Sequence, residues 1–366
     1  MEKIDITNVG RSDPQPPNLG GLYTSEQILQ KVNAALDALP YDRQPASLYE
    51  PVKYVLSLGG KRIRPVLMLL GYNLFKDQPE DILMPALGLE TYHNYTLLHD
   101  DLMDNADLRR GHATVHKKWD ANTAILSGDS MLVLAYQRVQ QVDDRHLPAV
   151  MDLFTETALE IGEGQQYDMD FETRMDVTED EYIEMIRLKT SVLLACALKI
   201  GAILGDASPE DADLLYRFGE QIGLAFQLQD DLLDVYGDPE VFGKAIGGDI
   251  MSNKKTYMLI NAVNRANPQQ REELLSWIGS PVVGNASERC TVVGEASKLC
   301  SPEQFRQEKV AAVTRLYNEI GIRQLCEAKI NSYFVSASAL LDQVSVPEEH
   351  KAELRAYAAD MMHREK

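Results

Sequence analysis

His99-Asp100-Asp101-Leu102-Met103-Asp104 closes one long apolar stretch, and Gln229-Asp230-Asp231-Leu232-Leu233-Asp234 closes another, 130 residues further on. Both stretches, 82–103 and 212–236, carry their apolar residues at helical spacing. On a helix, residues four apart share a face, with Cβ atoms roughly 5–6 Å apart. Asp100 and Asp104 therefore point the same way, and so do Asp230 and Asp234. Two such carboxylate faces in one chain repel each other unless cations lie between them. Hard oxygen donors that leave room for water and phosphate oxygens suit Mg²⁺. The pair predicts a helical chain with a magnesium-bridged diphosphate site.

The helical pattern extends outward from these two stretches. Segments 22–39, 46–58, 65–75, 119–142, 147–171, 179–204, 257–264, 303–319, 324–344 and 345–362 all read as helices. Pro65 stands at a helix start, and Asp, Ser or Thr precedes several others. Alternating β-branched runs are missing, so an all-α bundle is expected. The organisation read from this is a flexible, Pro- and Gly-rich segment over 1–21, followed by a single all-α domain over 22–366. One stretch breaks the pattern. Pro281-Val-Val-Gly-Asn-Ala-Ser-Glu-Arg-Cys290 is followed at once by Thr291-Val-Val-Gly-Glu-Ala-Ser-Lys-Leu-Cys300, and six of ten positions match. Two copies are too few for a solenoid. The stretch reads as a duplicated surface-loop insertion spanning 279–302. The alternative is a lid or dimer contact in which Cys290 and Cys300 pair or bind metal.

The formal net charge is −20 over 366 residues. Such an acidic chain is a poor partner for nucleic acid or an anionic membrane. It also gives weight to any local basic cluster. The N-terminus lacks a basic region followed by an apolar core, so no signal peptide is expected. No run of about 18 apolar residues occurs, so no transmembrane segment is expected. Four cysteines without a CxxC pair fit a cytoplasmic location.

Several basic clusters run against that acidic background. Gly59-Gly60-Lys61-Arg62-Ile63-Arg64-Pro65 joins two flexible glycines, three cations and a helix-opening proline. Backbone amides at a helix start, with Lys61 and Arg64, make an anion site. The first aspartate cluster continues as Asp104-Asn-Ala-Asp107-Leu-Arg109-Arg110-Gly111, and paired arginines suit a bidentate grip on phosphate. His93 lies two turns before Asp100 on roughly the same face. In the middle of the chain, Gly164-Gln165-Gln166-Tyr167-Asp168 is followed by Lys189-Thr190-Ser191. Lys189 sits in an apolar run and needs an acidic partner or a ligand. After the second cluster come Phe242-Gly243-Lys244 and Gly248-Asp249-Ile250-Met251-Ser252-Asn253-Lys254-Lys255. This is a glycine-rich, lysine-bearing loop suited to closing over phosphates.

Taken in order, these motifs resemble the trans-isoprenyl diphosphate synthases, the polyprenyl synthetase family. The likeness rests on Gly-Gly-Lys-x-x-Arg, the first DDxxD with Arg-Arg-Gly, Gly-Gln-x-x-Asp, Lys-Thr, and the second DDxxD with its Gly-Lys loop. It covers roughly residues 45–260. The resemblance implies an isoprenoid-synthase-type helical bundle around a deep cavity, a homodimer, and head-to-tail condensation of isopentenyl diphosphate with an allylic diphosphate. It further implies that Asp100, Asp104 and Asp230 bind Mg²⁺, three ions once substrate is bound. Asp101, Asp231 and Asp234 then support them by ligation or hydrogen bonding. Arg109, Lys189, Lys244 and Lys254 hold the allylic diphosphate. Lys61, Arg64, His93 and Arg110 hold isopentenyl diphosphate. Thr190 and Gln227 face the developing allylic cation.

Product length in the family depends on side chains upstream of the first aspartates. Tyr95 and Thr96 stand one turn earlier, with Tyr92 another turn back. Tyr95 is bulky enough to floor a cavity, which suggests a short-chain enzyme making C15 or C20, with C20 favoured. Two other readings use the same fold or a related role. A terpene cyclase usually replaces the second aspartate motif and lacks the Gly-Gly-Lys-x-x-Arg pocket, whereas both are present here. A non-catalytic regulatory subunit loses aspartates, whereas all six remain.

Overall fold

The computed structural model describes residues 22–237, 246–278 and 301–362, and these are helical almost throughout. In chain order the elements begin with α1 (Ser25–Asp37), α2 (Ala46–Ser57), α3 (Ile63–Asn73) and α4 (Leu83–Met103). A two-strand hairpin, β1 (Leu108–Arg109) and β2 (His112–Ala113), is followed by α5 (Val115–Lys118), α6 (Ala121–Val139) and α7 (Leu147–Glu172). Then come α8 (Glu179–Ile186), a π-helical turn (Arg187–Ser191), α9 (Val192–Leu204) and α10 (Pro209–Tyr236). The rest are α11 (Gly248–Met251), α12 (Tyr257–Arg265), α13 (Pro268–Ile278), α14 (Pro302–Ile320), α15 (Ile322–Asp342) and α16 (Glu348–Met362). Residues 1–21 and the tandem repeat with Cys290 and Cys300 lie outside the described residues. None of the described helices is long and apolar enough to cross a membrane.

The chain divides into two compact units. The first takes its described residues from 22–158, 193–219 and 338–358; the second takes them from 159–192, 220–337 and 359–362. In the first unit, α4 packs along α6 and also against α3. Every residue from Leu83 to Tyr92 is buried. A helix apolar on all sides is an inner helix, which explains why its sequence shows little amphipathic contrast. Leu67, Leu69, Leu87 and Leu89 are at most 1% exposed, and each such burial is worth about 1.5–3 kcal/mol before entropy is counted. Local signals set the helix starts. Thr24 accepts from the Gln27 amide while the Gln27 side chain accepts from the Thr24 amide, a capping box opening α1. Asp120 caps α6 through the Thr123 amide.

In the second unit, Thr178 and Glu181 form the capping box of α8. The segment 179–204 reads from sequence as one helix, but the structure widens it at Arg187–Ser191. There the Val192 amide donates to the Arg187 carbonyl, five residues back. Such bulges concentrate at functional positions, and this one carries Lys189 and Thr190. Two further differences have simple causes. Helix α13 has no readable period in the sequence because only Leu274 and Ile278 of its eleven residues are buried, too thin a stripe to show. The hairpin pairs Leu108 with Ala113 and Arg109 with His112. Its turn uses left-handed Arg110 (φ 53°) and Gly111 (φ 78°), the geometry of a tight two-residue loop.

Candidate active site

In the first unit the site grows from the C-terminal end of α4. The Asp104 amide donates to the Asp100 carbonyl at 2.8 Å, so the two aspartates keep helical register and share a face. A helix C-terminus carries partial negative charge, so acidic groups there are unfavourable unless a cation joins them. Asp101 points elsewhere. It is 5% exposed, and both of its oxygens accept from Arg109, with Nε at 3.0 and 3.1 Å and Nη2 at 2.6 Å. Of its two expected roles, ligation or hydrogen bonding, this geometry favours the second. The hairpin bearing Arg109 is pinned by Thr114 Oγ1 donating to the Ala106 carbonyl and Tyr54 Oη donating to the Ala113 carbonyl.

Arg110 donates to the Gly59 carbonyl and lies across Gly60. A Cβ at Gly60 would sit 2.7 Å from the Arg110 Cζ, and its φ is +127°. Only glycine combines that backbone with that approach. Lys61 is exposed and Arg64 partly so. Arg62 between them turns inward, with φ +49°, and donates to Glu90 Oε1 at 2.8 Å and to the Leu56 carbonyl at 2.7 Å.

Four arginines act on His93. Burial pushes its imidazole well below the ordinary 6.5, and Arg64, Arg110, Arg109 and Arg62 push it further down. It is therefore neutral and can donate a hydrogen bond without adding charge. The unfolded chain takes up a proton at this residue as pH falls through 6.5 while the native imidazole does not. Stability is thus lost below that pH and unaffected by this group above it. His93→Gln is expected to flatten the fall in melting temperature between about pH 7.5 and 5.5, measured by scanning calorimetry. An unchanged slope would show that His93 is not the group responsible.

In the second unit the site grows from the C-terminal end of α10, where Asp230 and Asp234 again share a face. Asp231 is 3% exposed. It accepts from the Tyr182 hydroxyl and, at 3.1 Å, from Gln227 Nε2. Gln227 Oε1 in turn accepts from Thr190 Oγ1 at 3.0 Å. This chain orients the amide, with nitrogen toward Asp231 and oxygen toward Thr190. Burial pushes the Asp231 carboxyl up, as does Asp249, with Lys254 opposing, to about 7. Lys189 Nζ meets Asp168 Oδ2 at 2.6 Å. The acidic partner that the buried-lysine argument required is therefore Asp168. Although burial raises the Asp168 carboxyl, Lys254 and Lys189 hold it below its ordinary value. Gly164 permits this arrangement, since a Cβ there would lie 2.4 Å from the Lys189 backbone nitrogen. Asp234 holds the following loop: its Oδ2 accepts from the Asp249 amide at 3.0 Å and its carbonyl from the Gly247 amide at 2.7 Å. Lys244 lies outside the described residues.

Sequence reasoning did not single out Tyr182, Glu90 or Arg62. Glu90 had a signal: it is the one acid in the apolar run 82–92, and a buried charge needs a partner. Tyr182 had none, because its partner stands 49 residues away.

Within each unit the donor chemistry suits a hard divalent ion. Asp100 and Asp104 offer carboxylate oxygens at the negative end of α4, and Asp230 does so at the negative end of α10. Mg²⁺ held by one or two carboxylates completes its octahedral shell with waters and phosphate oxygens.

The family model described as polyprenyl synthetase matches residues 45–290. A geranylgeranyl diphosphate synthase of Methanosarcina mazei is 44% identical over 236 residues, covering 64% of this chain and 73% of the relative. A short chain isoprenyl diphosphate synthase of Methanocaldococcus jannaschii is 38% identical over 284 residues, covering 77% of this chain and 84% of the relative. A crystal structure of a geranylgeranyl pyrophosphate synthase superposes with TM-score 0.85 at 39% identity, covering 94% of this chain and 100% of that one.

Proposed function

The chain belongs to the polyprenyl synthetase family, and we propose on that premise that it makes a C20 diphosphate. It is a prenyltransferase that condenses isopentenyl diphosphate head to tail with an allylic diphosphate to give a short-chain prenyl diphosphate. One observation supports the isopentenyl half of this reading above others: Arg110 reaches across Gly60 to the Gly59 carbonyl, onto the loop that carries Lys61 and leads into Arg64. Cations gathered at one loop suit a diphosphate, and His93 would join them there. Arg109, Lys189, Lys254 and Lys244 are the proposed grips on the allylic diphosphate.

Asp100, Asp104 and Asp230 would hold Mg²⁺, three ions with substrate present, which when bound draws electron density off the leaving diphosphate. Asp101, Asp231 and Asp234 hold the surrounding side chains and loop. As the carbon–oxygen bond breaks, positive charge develops on the allylic carbon. Thr190 spends its proton on Gln227, so its oxygen offers lone pairs, a fixed dipole suited to that charge. The isopentenyl alkene attacks, and the departing diphosphate is the base that removes the proton. The whole of 22–366 is read as one prenyl synthase domain, supported by the 94% of the chain that superposes on the solved synthase. Cys196 and Cys326, both buried thiols, suit a cytoplasmic location.

The test uses purified protein with Mg²⁺, labelled isopentenyl diphosphate, and dimethylallyl, geranyl or farnesyl diphosphate in turn, with products sized by chromatography. A discrete C20 product supports the reading, C15 or longer corrects the length alone, and no elongation with any primer overturns the function.

A homodimer is part of the same proposal. Leu126 and Val133, seven residues apart on one face of α6, are 58% and 68% exposed. Two such side chains on one helix face suit a second copy. The double variant Leu126→Glu/Val133→Glu is expected to run at half the wild-type mass in light scattering. Wild-type mass in the variant would place the interface elsewhere.

A further inference from the structure

We infer that Glu90 and Arg62 are positioning residues for isopentenyl diphosphate, acting as a buried clasp that sets the geometry of its diphosphate pocket. The inference rests on the assignment of Lys61, Arg64, His93 and Arg110 to that pocket.

Glu90 is 1% exposed and Arg62 5%. Arg62 spends its guanidinium inward: Nη1 on Glu90 Oε1 at 2.8 Å, Nη2 on the Leu56 carbonyl at 2.7 Å, and Nε on Asn33 Oδ1 at 3.4 Å. Asn94 Nδ2 adds a second donor to Glu90 Oε1 at 2.9 Å. Glu90 Oε2 is buried and makes no hydrogen bond. The clasp joins two pieces of chain that both carry pocket residues. Arg62 lies between Lys61 and Arg64, and Glu90 lies one helical turn before His93.

The backbone shows why the join matters. Arg62 adopts φ +49° at the residue just before α3, a conformation that a side chain with a Cβ adopts only when its surroundings impose it. With Arg62 drawn inward, Lys61 stays exposed on one side of it and Arg64 stands on the first turn of α3 on the other. The Glu90 charge also reaches Arg110, where it is the strongest of the nearby groups opposing the effect of burial.

Stability alone does not account for this pair. Replacing a buried ion pair by apolar side chains of similar size is often neutral or stabilising, whereas removing one partner leaves a buried charge. Shape and position are what an apolar pair cannot reproduce.

The experiment therefore compares the double variant Arg62→Met/Glu90→Leu with wild type, reading melting temperature, kcat, and KM for each substrate. Wild-type turnover is measured first; if wild type does not elongate any primer, the functional reading fails and the clasp is not at issue. With wild type active, the double variant is expected to melt within a few degrees of it. Its KM for isopentenyl diphosphate is expected to rise roughly 10- to 100-fold, the scale of a displaced binding group, with the allylic KM and kcat within about threefold. A folded double variant with unchanged isopentenyl KM overturns the inference, as does an equal rise in both KM values. Glu90→Gln keeps the size and one acceptor oxygen. It is expected to fold and to raise the isopentenyl KM by a smaller factor, and an unchanged KM there overturns the inference even if the double variant fails to fold.

Discussion

Asp100→Ala is expected to lower kcat by roughly a thousandfold while the protein melts within a few degrees of wild type. The two readouts move apart for a physical reason. Asp100 stands at the C-terminal end of α4, where the helix dipole is negative and Asp101 and Asp104 already crowd the same turn. Removing a carboxylate there relieves repulsion with its acidic neighbours, which offsets the contact the side chain gives up, so stability changes little. Catalysis loses a group that would hold Mg²⁺ against the leaving diphosphate. Asp101→Ala is expected to behave differently. It leaves Arg109 without its bidentate partner, so it is expected to lower the melting temperature as well as activity. Steady-state kinetics with calorimetry on both variants checks the pair. An Asp100→Ala enzyme within tenfold of wild-type kcat would remove Asp100 from the metal site.

Tyr95→Ala is expected to change what the enzyme makes rather than how fast it begins. The Tyr95 ring meets Tyr92 at 5.5 Å and His99 at 4.9 Å between centroids. Behind it, Tyr92 meets Phe154 at 5.3 Å, and Phe154 meets Tyr136 at 4.8 Å. The aromatic wall therefore has depth. Tyr95 is partly exposed, while Tyr92 and Phe154 are buried. Truncating Tyr95 removes the outer layer and leaves the inner one, so the principal product lengthens by one or a few isoprene units and then stops again. Tyr92→Ala alone, beneath an intact Tyr95, is expected to cost stability, since a buried aromatic removed to alanine costs about 3–5 kcal/mol, with little change in length. Product sizing by chromatography decides. An unchanged profile for Tyr95→Ala would put the floor of the cavity elsewhere.

Much of this molecule was legible from local pattern. The two aspartate clusters were readable because i,i+4 spacing on a helix is a local property, and α4 and α10 carry Asp100/Asp104 and Asp230/Asp234 in that register. Lys189 was readable as a lysine in need of a partner because burial of an unpaired amine is costly, and Asp168 supplies it. The π-helical turn at Arg187–Ser191 was not readable, because Leu188 and Ser191 look like any other helical residues until α7 and α10 press on them through Gly164 and Gly223.

By itself, then, the sequence determined the helical class, the family, and the residue types at both carboxylate faces and at the proposed phosphate grips, since each depends on spacing within one element. Only the tertiary structure decided how those residues divide their work. Asp101 is committed to Arg109, Asp231 to Tyr182 and Gln227, Asp234 to the Gly247–Asp249 loop, and Arg62 to Glu90. Each of these choices depends on which distant side chain arrives at a face, and helical periodicity sets the face but not the neighbour that meets it.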